Sequence, residues 1–430
     1  MLTPLERDAP LCLYTSTAAP APPTPTLDGD LQTQVLIVGA GYTGLSAALH
    51  LAERGIATVV LEAHEPGWGA AGRNGGQINA GLKHEPDEVE RDLGPVHGPR
   101  LVRLAGAAAE QLFRLIARLR IDCEARREGT LRAAYRHADV ATLEASVAQW
   151  QRRGVHLELL NRAGVAAVTG TARYLAATVD TRGGSVNPLG LARGLAVAAI
   201  AAGARICGNS LVERLERTAS GWRAYTTHGR VHAERLVLAT DGYSDELWPG
   251  LRRSVVPIYS AIVASAPLKP AVAATALPGG GVLYESGDIT VYYRRDRENR
   301  LLMGGRGRQR PMAGHADVAH LTRYAAELWP ALAGVDWTHR WNGQFALTPD
   351  FYPRLHQPYP DVFIALGYSG RGVALGVAVG AELAAVAAGG SIEALSLPVS
   401  DIAPIPFHAF WKVGVSARVL YGRLRSRFGA

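Results

Sequence analysis

The sequence predicts an α/β protein of two parts: a Rossmann-like, doubly wound domain and a second domain built on a mixed, largely antiparallel sheet. Three observations carry this. Near the N-terminus a strand, a glycine turn, a helix and a second strand succeed one another from Val35 to Glu62. Near the C-terminus DVFIALGYSGRGVALGVAVGAELA again reads strand, glycine loop, helix. Between them TLRAAY, VVPIYSAIVASAPL and TVYYRRD alternate as strands of a sheet with one covered face. A chain of 430 residues is also too long for one simple core.

Residues 17–26 are proline-rich and read as an extended arm. VLIVG is then a continuous apolar run of strand length. TGLSAALHLAERG places Leu45, Ala48, Leu49 and Ala52 on one helical face, and ATVVLE is a second buried strand. The turn GAGYTG fits GxGxxG through Gly39, Gly41 and Gly44, and Glu62 stands 18 positions beyond Gly44. That spacing reads as a dinucleotide site. The first glycine permits the turn, the second admits a pyrophosphate, and the third lets helix and strand pack closely. The helix N-terminus supplies amides and positive dipole to the phosphates, and Glu62 is placed to accept ribose hydroxyls.

GWGAAGRNGGQ (67–77) comes directly after, with five glycines among eleven residues. Such a loop can fold back over the pyrophosphate and continue beneath a ring system. Arg73 can neutralise phosphate, while Asn74 and the Gly75 and Gly76 amides can bond the polar edge of a flavin. ERLVLATDGYS (234–244) is an apolar strand breaking into a polar turn, and ARICGNSLVERLE brings Val212 to an adenine edge. A helix starting near Gly372 directs its dipole at a reduced flavin's pyrimidine side. The expected cofactor contacts are Gly39, Gly41, Tyr42, Thr43 and Gly44, then Glu62 and Ala63, then Gly69, Arg73, Asn74, Gly75, Gly76 and Gln77. Val212, Ala239, Thr240, Gly367, Gly370, Arg371, Gly372 and Val373 complete them. The segment VHGPRLVRLAGAAAEQLFRLIARLR is expected to be a long amphipathic scaffold helix.

Composition narrows the classes. The net charge of +7 is spread along the chain and carried almost wholly by arginine, with lysine only at 83, 269 and 412. No compact basic block with interleaved aromatics precedes the tail, so no nucleic-acid partner is expected. Cys12, Cys123 and Cys207 form no CxxC pair, which predicts neither zinc nor a disulfide framework. No metal site is expected. The first residues show no apolar core of a signal peptide, and a cytoplasmic setting is expected. Gly372 to Gly390, rich in glycine and alanine and carrying Glu382, reads as a buried helix rather than a membrane span.

These motifs resemble the D-amino acid oxidase-like (DAO) group of FAD-dependent amine oxidoreductases. The resemblance runs from LDGD through VGAGYTGLSAALHLAERG, LEA, GWGAAGRNGGQ and LVLATDGYS. It continues in YYRRDRENRLLMGGRG, RWNGQFALTPDFYPRL, GYSGRGVALG and the C-terminal IPFHAFWKVGVSARVLYGRLRSRFG. It implies an N-terminal arm (residues 1–30) and an FAD domain assembled from 31–123, 150–174, 186–250 and 341–400. A substrate domain would take 124–149, 175–185 and 251–340, leaving a basic amphipathic helix over 401–430. The reaction implied is hydride transfer from the α-carbon of a polyamine-like or gamma-glutamylated amine to flavin N5, giving an imine that hydrolyses. The flavin would be reoxidised by oxygen with release of peroxide. The alternative is a D-amino acid or secondary amino acid dehydrogenase or oxidase passing electrons to a quinone.

With no cysteine beyond Cys207 and no histidine in the 67–77 loop, noncovalent FAD is expected. No protein residue is singled out as catalytic. The expected substrate pocket is Gln77, Tyr259, Tyr292, Tyr293, Trp341, Tyr368 and Arg371, with Arg294 as a further polar candidate. Amino-acid oxidases of the group tend to carry arginine in the C-terminal glycine loop, near the substrate's α-carboxylate. Here that place aligns with Gly370, which favours an amine whose carboxylate, if any, is remote. Two readings stand for the tail, where Phe407, Phe410 and Trp411 mix with Arg418, Arg423, Arg425 and Arg427. It packs on the FAD domain with a solvated basic face, or it meets a membrane weakly from the side.

Overall fold

The computed structural model describes residues 12–287 and 290–418. The apolar run at Val35–Val38 is buried on both faces, and that is what a central parallel strand requires. Its strand, Gly29–Val38, lies between Gly229–Leu238 and Thr58–Leu61, both parallel to it. In spatial order the sheet reads Arg354–Tyr359, Val362–Leu366, Gly229–Leu238, Gly29–Val38, Thr58–Leu61, Arg205–Cys207. Only the Arg354–Tyr359 edge strand of that row is antiparallel. Val35 and Ile37 face a core built with the helices Tyr42–Ala52, Pro188–Ala201 and Gly372–Ala387. Leu36 and Val38 face the opposite core, with Trp222 from the hairpin Arg214–Thr226 and with Trp248.

The second sheet is the expected mixed one. Its order is Trp337–Leu347, Val256–Ser265, Leu301–Arg306, Tyr292–Arg295, Val282–Glu285, Thr130–Ala134, Ala176–Asp180, Glu158–Leu160. Every pairing is antiparallel except that of Val282–Glu285 with Thr130–Ala134. Two expected boundaries move. Glu158–Leu160 and Val165, placed by sequence in the first domain, belong to this sheet and its core, because the strand pairs with Ala176–Asp180. The boundary at 341 falls inside the strand Trp337–Leu347, whose pairing with Val256–Ser265 is continuous from Val256 to Ala264.

The N-terminal segment is less of an arm than its prolines suggest. Leu13–Thr17 is a short helix, and Cys12, Leu13 and Tyr14 are buried in a small core with Trp341, Ile262 and Leu302. Apolar side chains at the arm's start decide this, since burying them outweighs the extended bias of the prolines after them. The expected helix from Val96 onward is the second limb of a longer element, Pro86–Leu119, bent at Gly94 where φ is 71°. In the tail, residues 411–418 are helical. Phe407, Phe410 and Val413 are exposed there, at 85%, 66% and 66%. Arg423, Arg425 and Arg427 lie outside the described residues. Among the described residues no helix is long and apolar enough to cross a membrane, and Gly372–Ala387 is the buried helix expected.

That helix crosses Tyr42–Ala52 at Gly380, where an added Cβ would collide with the Thr43 carbonyl and approach Ser46 Cβ to 2.7 Å. A backbone carbonyl inside a helix cannot step aside. Gly380→Ala is therefore expected to cost about 1–3 kcal/mol of stability, read as a lower denaturant midpoint with an unchanged m-value.

Candidate active site

Open α/β sheets gather ligands beyond the C-terminal ends of their parallel strands. At that edge the structure has a cavity of about 700 Å³ between the two sheets. Three bends of the first domain form its floor, and Tyr259, Tyr284, Tyr292 and Arg306 of the second sheet form its roof.

The first bend is the glycine turn. Gly39 has φ 102°, and a Cβ there would stand 2.8 Å from the Ala239 carbonyl oxygen. Gly41 caps the helix Tyr42–Ala52 in extended conformation, so the first-turn amides face the cavity. Gly44 lies behind the lining, close enough to Gly39 that any side chain would strike its carbonyl. This is the packing role its position in the motif implies. Glu62 lines the cavity, with Oε2 accepting from Ala40 N–H at 2.7 Å and Oε1 from His64 N–H at 3.0 Å. Burial raises the Glu62 pKa while these amides pull against it.

The second bend is the glycine-rich loop. Gly75 passes under the Tyr292 ring, where a Cβ would lie 2.5 Å from Cε2. The Arg73 guanidinium stacks 4.1 Å from the Trp68 ring centroid, and Trp68 stacks in turn on His64 at 3.9 Å. Burial, with Arg73 next, lowers the His64 pKa. Asn74 does not offer its amide to a ligand. Its Nδ2 donates to Ala71 O at 2.9 Å, and its Oδ1 accepts from Gly76 N–H at 2.8 Å, so side chain and amide satisfy each other. Gly76 has φ 68° and sits against Val186 and Arg294, off the cavity wall. Arg294 is likewise buried away from the cavity and donates to Gly75 O at 2.7 Å and Val186 O at 3.1 Å. It props the loop from behind.

The third bend joins two distant segments through Asp241, which lies in the LVLATDGYS stretch beside Ala239 and Thr240 but is not among the expected contacts. Its Oδ1 accepts from Gly367 N–H at 2.8 Å and its Oδ2 from Ala346 N–H at 3.2 Å. Gly367 serves this clamp at φ 81° and does not line the cavity. Gly370, at φ 86°, and Arg371 do line it, and the helix Gly372–Ala387 begins at the expected residue.

Two expected pocket aromatics are placed differently. Tyr293 points into the outer core, its OH donating to Tyr174 at 3.0 Å and its ring against Trp329. Successive strand residues face opposite sides, so Tyr292 and Tyr293 cannot share one pocket. Trp341 is fully buried under the loop, donating to Arg73 O at 2.9 Å. Tyr368 lines the cavity, its OH 2.7 Å from Thr43 Oγ1. Gln77, Tyr259, Tyr292 and Arg371 line the cavity, joined by Phe345 from RWNGQFALTPDFYPRL and by Lys83 and Tyr284, which no quoted motif contains. Among the described residues no cluster of ligands suits a metal ion.

Arg73 Nη2 and His64 Nε2 are buried with no hydrogen-bond partner. A buried polar nitrogen without a partner is costly, and both belong to residues on the wall of one cavity. Together with the uncapped helix start at Gly41 they fit a dinucleotide that brings phosphates and a polar ring edge. Glu62, Arg73, Val212 and Ala239 would hold the nucleotide part, and the turn at Gly370 to Val373 the flavin ring.

The comparisons agree with this geometry. Residues 34–386 match the family described as DAO, FAD dependent oxidoreductase. The chain is 33% identical over 366 residues to gamma-glutamylputrescine oxidoreductase of Escherichia coli K12, covering 84% of each. It is 33% identical over 388 residues to a probable oxidoreductase, OrdL, of Rhizobium meliloti, covering 88% of this chain and 89% of that one. The crystal structure of glycine oxidase from Geobacillus kaustophilus superposes with a TM-score of 0.73 at 23% identity, covering 84% of this chain and 96% of that one.

The opposed placement of the tyrosine pair is testable. Tyr293→Phe should cost about 0.5–1.5 kcal/mol of stability and leave the bound flavin's absorption unchanged. Tyr292→Phe should perturb that absorption instead.

Proposed function

This chain belongs to the DAO family of FAD-dependent oxidoreductases, and from that membership we propose that its substrate is a gamma-glutamylated amine of the polyamine type. At the level of the family, it is an FAD enzyme that oxidises a carbon–nitrogen bond of an amine or amino acid. When bound, FAD supplies the hydride acceptor for the carbon next to the amine nitrogen. The chain's own residues orient the amine, exclude water and hold it unprotonated.

The observation that carries the reading is Gly370. Its φ of 86° is a conformation that side chains rarely adopt, in the loop where amino-acid oxidases of the group tend to carry the arginine that meets an α-carboxylate. Arg371 comes next, but its Nη2 is turned to the Tyr284 hydroxyl at 3.1 Å. Tyr259, Tyr284 and Tyr292 line the same cavity. Removal from water and neighbouring cations both disfavour an ammonium ion and favour the neutral amine that can give up a hydride. The 33% identity to gamma-glutamylputrescine oxidoreductase over most of both chains supports the same class.

We take FAD to be held without a covalent bond, since Cys12, Cys123 and Cys207 are buried and none lines the cavity. Oxygen is the proposed acceptor.

Mixed anaerobically with gamma-glutamylputrescine, the yellow enzyme should bleach within seconds, and readmitted air should restore the colour with release of peroxide. Bleaching by D-alanine or sarcosine but not by gamma-glutamylputrescine would sink the substrate assignment. Arg73→Met should lower FAD affinity about tenfold or more, measured by flavin retained on gel filtration, because one charge-assisted contact to phosphate is lost.

A further inference from the structure

The cavity's open end carries a concentration of positive charge that the cofactor turns do not use. Lys83 comes from the segment after the strand Gln77–Ile78, Arg371 from the start of the helix Gly372–Ala387, and Arg418 from the helical tail. Three remote stretches of chain thus deliver three cations to one wall. The tail is held there by His408, whose Nε2 lies 2.8 Å from Val255 O, and by Arg306, which donates to Val415 O at 3.4 Å.

Among the described residues none of the three pairs with a carboxylate. The carboxylates that line the cavity are occupied elsewhere. Glu62 and Asp241 bind backbone amides, Asp245 accepts from Leu247 N–H, and Glu285 accepts from Tyr174 and Tyr324 on the far face of the sheet. Arg132 is matched by Glu85. Arg371 keeps one buried Nη1 without any partner, and Lys83 Nζ rests 4.8 Å from the Phe351 ring centroid. Lys83 is exposed, and desolvation by the neighbouring protein, with the Arg371 and Arg418 charges next, holds its pKa down to about 8. Like charges gathered on such a wall attract an anion. FAD's phosphates are not that anion, since Arg73 and the Gly41 helix start sit at the other bends and Lys83 and Arg418 face solvent.

We propose that Lys83, Arg371 and Arg418 form a carboxylate subsite at the cavity's open end, which binds an anionic group of the substrate remote from its reacting amine. The inference rests on the substrate class proposed above and gives the residues that select it. A gamma-glutamylated amine carries such a carboxylate several bonds from the carbon that is oxidised, whereas a free diamine does not.

The test uses two non-oxidisable probes on the oxidised holoenzyme: glutaramate, with one carboxylate and one amide, and glutaramide, its neutral counterpart. Binding is read as a perturbation of flavin absorbance. The wild type should bind glutaramate at least about tenfold more tightly than glutaramide, the difference one charge-assisted contact makes. Lys83→Gln should erase that preference, and Lys83→Arg should keep it, with FAD content and flavin reduction potential the same in all three proteins. Equal binding of the two probes by the wild type would overturn the subsite. So would equal weakening of both probes in Lys83→Gln, or a changed potential with the preference intact. Failure of gamma-glutamylputrescine to bleach the enzyme is a separate outcome: it removes the substrate assignment, while the probe pair still decides the subsite.

Discussion

The cavity depends on one carboxylate. Asp241 sits just past the end of the strand Gly229–Leu238 and accepts one amide from Ala346 and one from Gly367. Those residues end the longest strand of the second sheet and begin the last glycine loop of the first domain. A single side chain therefore joins segments remote from one another in sequence, at the place where the two sheets meet. Its backbone adopts φ 42°, an unfavourable region for a residue with a side chain, and the two amides are what compensate. Burial raises the pKa of Asp241 and the backbone amides oppose that rise, so the clamp is strongest with the carboxylate ionised.

Close approach of backbone to backbone results from that junction. Next to Asp241, Gly242 faces the Phe345 backbone, where an added Cβ would come within 2.7 Å. Gly69 meets the Tyr243 ring and Gly343 meets Arg73 Cβ, each with 3.0 Å to a hypothetical Cβ. The floor and roof of the cavity are thus brought to van der Waals distance around it, and side chains are admitted only where the cavity needs a wall. Because strand residues alternate, the roof presents Tyr284 and Tyr292 inward while Tyr293 and Glu285 build a separate polar network with Tyr174 and Tyr324 in the outer core. One sheet thereby serves a wet face and a dry face at once.

Charge is divided along the cavity in the same way. At one end Glu62 is held by amides, while Arg73 lies flat on Trp68 and keeps one buried Nη2 without a partner. At the open end cations accumulate without carboxylates among the described residues. The likeness to glycine oxidase, at 23% identity, speaks for the shared fold alone. At the cavity this chain presents a glycine at 370, Arg371 turned to Tyr284, and Arg418 from the tail.

The sequence by itself determined the parallel domain, the three glycine bends and the FAD chemistry, because each is written in a short contiguous pattern. An apolar run buried on both faces, a GxGxxG turn and a helix opening after a glycine loop are local statements, enforced by backbone sterics within a few residues. Only the tertiary structure decided which tyrosine of the pair at 292 and 293 faces the cavity, that Trp341 and Arg294 support the loop from behind, and that Asn74 spends its amide on Gly76. It also moved the strand Glu158–Leu160 to the second sheet and gave Asp241 and Lys83 their places. Those outcomes turn on strand register and on which distant segments come to lie side by side, and no window of neighbouring residues contains that information.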